Sequence, residues 1–173
     1  MQRARLVTFG IVGLAAIGGA LVLRALIPPG TAAPALLPWT DAAVVARGHD
    51  LYQRDCAGCH GALDGSEGPQ EPSAPPHDAR GHTWEHPDYA LFQLTKTGEV
   101  AELCRTLNAG GNAGGNADGD AMPRFGAALS DGEIVDVLSY IKSTWPEELR
   151  AKQEAVNALY AAQNAAYREL IHR

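Results

Sequence analysis

The sequence predicts an all-α protein: one small helical domain, preceded by an N-terminal transmembrane helix and followed by an extra C-terminal helix. Three observations predict it. Apolar residues recur near helical spacing in several segments, each opened or closed by helix-capping residues, and no segment makes a convincing strand. Residues 6–27 (LVTFGIVGLAAIGGALVLRALI) are apolar except for Thr8 and Arg24. Aromatics make up only 6% of the chain against 19 glycines and 11 prolines, so a loop-rich domain needs something besides side chains at its centre.

At about 1.5 Å per residue, a helix over 6–27 reaches roughly the 30 Å of a bilayer's hydrocarbon core. Arg3 and Arg5 precede it, and after Arg24 no Lys or Arg occurs until Arg47. That asymmetry directs the N-terminus to the cytoplasm and residue 30 onward across the membrane. Arg24, one turn from the end, can carry its charge to the headgroups along its aliphatic stem. A cleaved signal peptide is the competing reading, with small-residue sites at Thr31-Ala32-Ala33 and Ala33-Pro34-Ala35. Against it, the apolar stretch outruns a signal core and the sites lie beyond its end. Either way the rest of the chain is exported, so the sequence predicts a single-pass inner-membrane protein with its domain on the periplasmic side.

Residues 28–39 are a Pro/Ala linker, stiff and extended, that would stand the domain off the membrane. The domain spans 40–145. Thr40 or Asp41 can cap a helix through Ala42–Asp55 that carries Val44, Val45, Leu51 and Tyr52. Gly61 to Pro76 holds three glycines and four prolines and predicts no regular element. His86-Pro87-Asp88 opens a helix that Gly98 closes. Residues 109–120 (AGGNAGGNADGD) are a loop, and Ser130-Asp131-Gly132-Glu133 is a capping box launching Ile134 to Ile141. Beyond Trp145-Pro146, residues 146–173 predict a helical extension, with Leu149, Val156, Leu159, Tyr160, Tyr167, Leu170 and Ile171 as one apolar stripe. It can pack on its own domain or dock on a partner.

The charge excludes one class of partner. All 20 acidic residues follow the apolar stretch, whereas 11 of the 14 basic ones do, so the exported part carries 11 − 20 = −9. Nucleic acid does not suit such a surface.

Residues 56–60 read Cys-Ala-Gly-Cys-His (CAGCH), the attachment signature for c-type haem. Cys56 and Cys59 form thioethers to two vinyl groups of one macrocycle, and His60 is carried under the iron as its proximal ligand. A thioredoxin-type pair would want a strand before it, and a zinc site would want a second ligand pair that Cys104 alone does not supply. A disulfide across four residues would be strained and leaves His60 unexplained. The predicted cofactor is one covalently attached haem c, which also accounts for the few aromatics.

Met122 is the only internal methionine and is followed by Pro123 on a polar loop, where packing alone is a poor reason for it. It is the candidate second axial ligand, with His77, His82 and His86 as rivals. Ligation by His60 and Met122 raises the potential and leaves no iron site free for a small-molecule substrate, a setting for electron transfer. Smaller features carry less. Cys104 is an odd thiol in an oxidising place, Asn116, Asp118 and Asp120 alternate like calcium ligands without the rest of a loop, and Phe125 can cover the haem edge.

With these residues in hand, the chain resembles the class I monohaem cytochromes c of the bacterial membrane-anchored kind, over roughly residues 40–145. The resemblance rests on Gly48 and Tyr52 before CAGCH, on Met122-Pro123, on the helix around Val137 to Lys142, and on the string from Gly81 to Asp88. It implies that the first and last helices of the domain cross, with Gly48 and Tyr52 against Val137 and Tyr140. It also implies that a proline carbonyl, from Pro69 or the Pro75-Pro76 pair, receives the ring N–H of His60, and that Trp84 or Arg80 holds a haem propionate. Only Lys96, Lys142 and Lys152 occur here, so the lysine-ringed docking face of many such carriers is missing and an acidic or apolar contact is expected. The implied function is a membrane-anchored carrier of single electrons, from a quinol-oxidising complex to a terminal oxidase or photosynthetic reaction centre. The alternatives are a permanent haem subunit of a respiratory or dehydrogenase complex, and a ligand-binding or peroxide-reducing haem protein.

Overall fold

The computed structural model describes residues 35–66, 74–99 and 122–172, all within Pro34–Arg173, the second of two units into which the chain divides. The expected anchor over 6–27, the residues 109–120, Pro69 and Cys104 lie outside the described residues. No helix among the described residues is long and apolar enough to cross a membrane.

Every regular element described is helical: α1 (Ala42–Asp55), α2 (Ala57–His60), a 3-10 turn (Thr83–Glu85), α3 (Asp88–Thr97), a second 3-10 turn (Phe125–Ala127), α4 (Asp131–Thr144), α5 (Glu147–Leu159) and α6 (Ala161–Ile171). The caps are those expected. Asp41 accepts from the N–H groups of Ala43 and Val44, and Ser130 and Glu133 form a complete capping box. Helix α3 ends at Gly98 in the left-handed conformation.

Helices α1 and α4 cross at Gly48. A Cβ built there would meet the carbonyl oxygen of Asp136 at 2.0 Å and Cβ of Tyr140 at 2.8 Å, so only glycine lets the backbones approach this closely. Tyr52 then meets Tyr140 edge to face at 5.7 Å, and Arg47 forks onto the Asp136 carboxylate through Nε at 2.7 Å and Nη2 at 3.0 Å. The expected crossing is present, with the Asp136 carbonyl rather than a side chain as the nearest atom to Gly48.

The core begins earlier than the sequence places it. Leu36 and Leu37, assigned to the spacer, are buried, and Trp39 lies under the Arg150 guanidinium at 4.8 Å. Arg150 also donates to the carbonyls of Ser143 and Trp145 at the end of α4, which ties the entering chain to that helix terminus.

The C-terminal extension is two helices, broken at Tyr160, rather than one. It packs on its own domain through part of the expected stripe and through polar groups: Leu149, Tyr160, Tyr167 and Ile171 pack against the core and Gln153 and Asn157 are buried, whereas Leu159 is 80% and Leu170 59% exposed. The physical reason for the polar groups is the bare N-terminus of α3, where Pro87 offers no side-chain cap. Asn157 Oδ1 accepts the Asp88 N–H and Asn164 Oδ1 the Tyr89 N–H, both at 2.9 Å. Gln153 donates to Asp88 Oδ1, and Lys142, with no exposed side-chain surface, lies 3.4 Å from Asp88 and 2.6 Å from Glu154. Polar side chains are selected on this face because they meet backbone donors and a buried carboxylate.

Two consequences are measurable by guanidinium unfolding. Gly48→Ala overpacks the crossing and should lower the unfolding free energy by about 2 kcal/mol; an unchanged midpoint would mean that α1 and α4 do not meet there. Asn157→Ala strips the acceptor from a buried backbone N–H and should cost about 2 kcal/mol, whereas a loss within error would make the α5 contact dispensable.

Candidate functional site: the CAGCH turn and its surroundings

The Cys-Ala-Gly-Cys-His stretch winds into one helical turn at the end of α1. Cys56 N–H bonds back to Tyr52 O at 2.9 Å, and Cys59 and His60 N–H groups both reach Cys56 O, at 3.1 and 3.0 Å. Residues three and four apart share a helix face, so the turn brings the two thiols and the imidazole to one side. Both cysteines are free; Cys56 is buried and Cys59 exposed. Burial pushes the Cys56 thiol up to about 12, with Asp55 and Cys59 adding to it. A reactive redox thiol needs the opposite, a depressed pKa that yields a thiolate, so Cys56 is ill suited to that part.

His60 is held from two directions. Its Nδ1 lies 2.7 Å from Pro75 O. A carbonyl can only accept, so Nδ1 carries the proton and Nε2 presents its lone pair. Pro75 is thus the proline that orients His60, a choice the sequence left open. Behind the ring, the Tyr52 hydroxyl donates to Gly61 O at 2.8 Å, fixing the backbone that follows it. Burial holds His60 below its usual 6.5, with the Pro75 bond opposing, so the imidazole is neutral as a metal ligand must be. Two thiols and an available Nε2 on one helical face fit a covalently attached haem.

Met122 is half-buried, and its carbonyl oxygen would lie 3.0 Å from a Cβ at Gly98, so it runs beside the end of α3. Downstream, the Phe125–Ala127 turn seats Gly126 against Lys96 O, and Phe125 packs on the core. The three expected residues of the CAGCH turn are therefore brought together, and Met122 enters from a separate segment.

Trp84 and Arg80, the expected propionate holders, each have a partner within the chain. Trp84 Nε1–H donates to Gly81 O at 3.0 Å, and Arg80 places Nε and Nη2 on Asp78 Oδ2 at 2.9 and 2.6 Å. The short Asp78-to-Arg80 spacing lets the two residues close on each other. His77, weighed as a rival axial ligand, instead stacks on the His60 ring, with centroids 3.9 Å apart and planes 26° from parallel. His82 and His86 face each other edge to face at 5.5 Å. The stacking of His77 was not legible in the sequence; its position two residues after Pro75 was the one available signal.

A family model for cytochrome c matches residues 45–145, from within α1 to the end of α4. The chain belongs to the cytochrome c family. The match agrees with the class I monohaem type, and it makes the protein an electron-transfer haem protein whose cofactor is haem c, covalently bound and one as a rule. No curated protein and no solved structure matches the chain.

The cytochrome c domain carries a built-in acid sensitivity. Burial, with smaller contributions from His60 and His82, pushes His77 from 6.5 down to about 3. The unfolded chain takes a proton near pH 6.5 while the folded one refuses it, so stability is full above 6.5 and is lost as pH falls towards 3. Urea midpoints of the holoprotein should decline from pH 6.5 down to the carboxylate range, and His77→Phe should flatten that slope; equal slopes would show that His77 is not the group responsible.

Proposed function

We propose that this cytochrome is a membrane-tethered carrier of single electrons on the periplasmic side of the inner membrane. Cys56 and Cys59 would hold the haem through thioethers, His60 Nε2 would serve as the proximal ligand and Met122 as the distal one. The observation that carries the reading is the Pro75 bond to His60 Nδ1, which fixes the tautomer and aims the lone pair from the same turn that bears both thiols.

Haem c supplies the one-electron chemistry between ferrous and ferric iron; the chain supplies ligands, orientation and burial. Two axial side chains leave no open position for substrate, which favours transfer over catalysis. Tethering through residues 6–27 would hold the carrier at high effective concentration beside its partners. A quinol-oxidising complex as donor and a terminal oxidase or photosynthetic reaction centre as acceptor suit such a carrier. The acidic balance of the chain calls for partner faces that are basic or apolar. The alternative of a permanent haem subunit drew on the C-terminal extension as a docking helix, and the polar contacts between that extension and its own α3 weigh against it.

A potentiometric titration of the haem in native membranes tests the reading. A midpoint well above the quinone pool is expected, and one at or below the pool would remove the carrier role. Met122→Leu should lower the midpoint and let carbon monoxide bind the reduced form; if neither happens, Met122 is not on the iron.

A further inference from the structure

The Pro75 hydrogen bond constrains His60 at one edge only. The ring can still rock about the line from Nδ1 to the carbonyl oxygen, and rocking turns the imidazole plane about the Nε2 direction. What opposes this is the His77 ring, lying flat on one face of His60 at 3.9 Å. His77 is itself immobilised. Its Nδ1 shares a 2.8 Å hydrogen bond with Thr83 Oγ1, and its backbone carbonyl accepts the Trp145 Nε1–H at 2.7 Å from the end of α4. Tyr52 stands edge-on to it at 6.4 Å. Gly81 lies close against the turn that carries it, since a Cβ there would stand 1.8 Å from Pro76 O.

We propose that His77 is a positioning residue for electron transfer: its ring, locked by Thr83 and Trp145, fixes the plane of the His60 imidazole, keeps water off one face of it, and so sets both the axial-ligand orientation and the potential of the iron. The inference rests on the reading of His60 as proximal ligand. A ring stacked on the face of His60 lies on that ligand's own side of the iron, so the same geometry excludes His77 from the distal position. The imidazole plane decides how its π system mixes with the iron d orbitals, which the anisotropy of the ferric resonance reports directly. Water on the His60 face would favour the ferric state, which carries one more positive charge, and lower the midpoint.

The test is made on the full-length holoprotein with three variants: His77→Ala, His77→Phe and Thr83→Val. His77→Ala should change the ferric g anisotropy and lower the midpoint. His77→Phe, which keeps a flat ring on His60, should restore the anisotropy towards wild type and hold the midpoint at or above it. Thr83→Val should broaden the ferric signal by releasing the His77 ring. A purely structural role would lower the unfolding midpoint and leave resonance and potential where they were, and that result would overturn the proposal. Should His77→Ala fail to assemble haem, Thr83→Val decides by the same readouts, and an unbroadened, wild-type ferric signal in it would overturn the proposal. A wild-type spectrum without an imidazole–iron signature would instead sink the assignment of His60, which separates the two failures.

Discussion

The close passage of α1 over α4 at Gly48 is the constraint on which the rest of the site depends. With no Cβ in the way, the Asp136 carbonyl comes to where a side chain would otherwise stand. This sets the height of Tyr52 over Tyr140, and the Tyr52 hydroxyl in turn holds Gly61 O directly after His60. Arg47 clamps the crossing from outside by forking onto Asp136. A backbone contact thus reaches the CAGCH turn through one buried tyrosine.

The surroundings of His60 show how a small domain stiffens one side chain with little material. One carbonyl, from Pro75, fixes the tautomer. One ring, from His77, covers a face. Trp145, at the far end of α4, holds the carbonyl of His77, so the last helix of the family domain is joined to His60 through two residues. A ligand that moves little between oxidation states lowers the reorganisation that electron transfer must overcome, the same advantage that preorganised dipoles give at other sites.

The C-terminal helices extend beyond the residues matched by the family model and attach by polar groups as well as by apolar ones, Tyr160 and Tyr167 meeting Tyr89. The N-terminus of α3 leaves backbone donors that its own sequence does not cap, and Asn157 and Asn164 meet them from outside. Lys142, buried between Asp88 and Glu154, adds charge to the same junction. Removing one member of such a group leaves the others buried without partners, which makes the seam specific as well as adhesive.

The sequence by itself determined the helices of the domain, because their ends are local chemistry. Asp41, the Ser130–Glu133 box and Gly98 satisfy or terminate the turns next to them wherever the chain goes. It also determined the cofactor, since CAGCH is a contiguous motif whose spacing is the chemistry. What only the tertiary structure decided involves partners that no local pattern records: Pro75 as the acceptor for His60, His77 on the face of His60, and Leu36 and Leu37 in the core instead of in a spacer. The apolar stripe of the extension foretold only part of its buried face, for the same reason. Periodicity registers apolar residues, whereas uncapped N–H groups on α3 selected the polar part of that face, and no pattern within α5 or α6 records those groups.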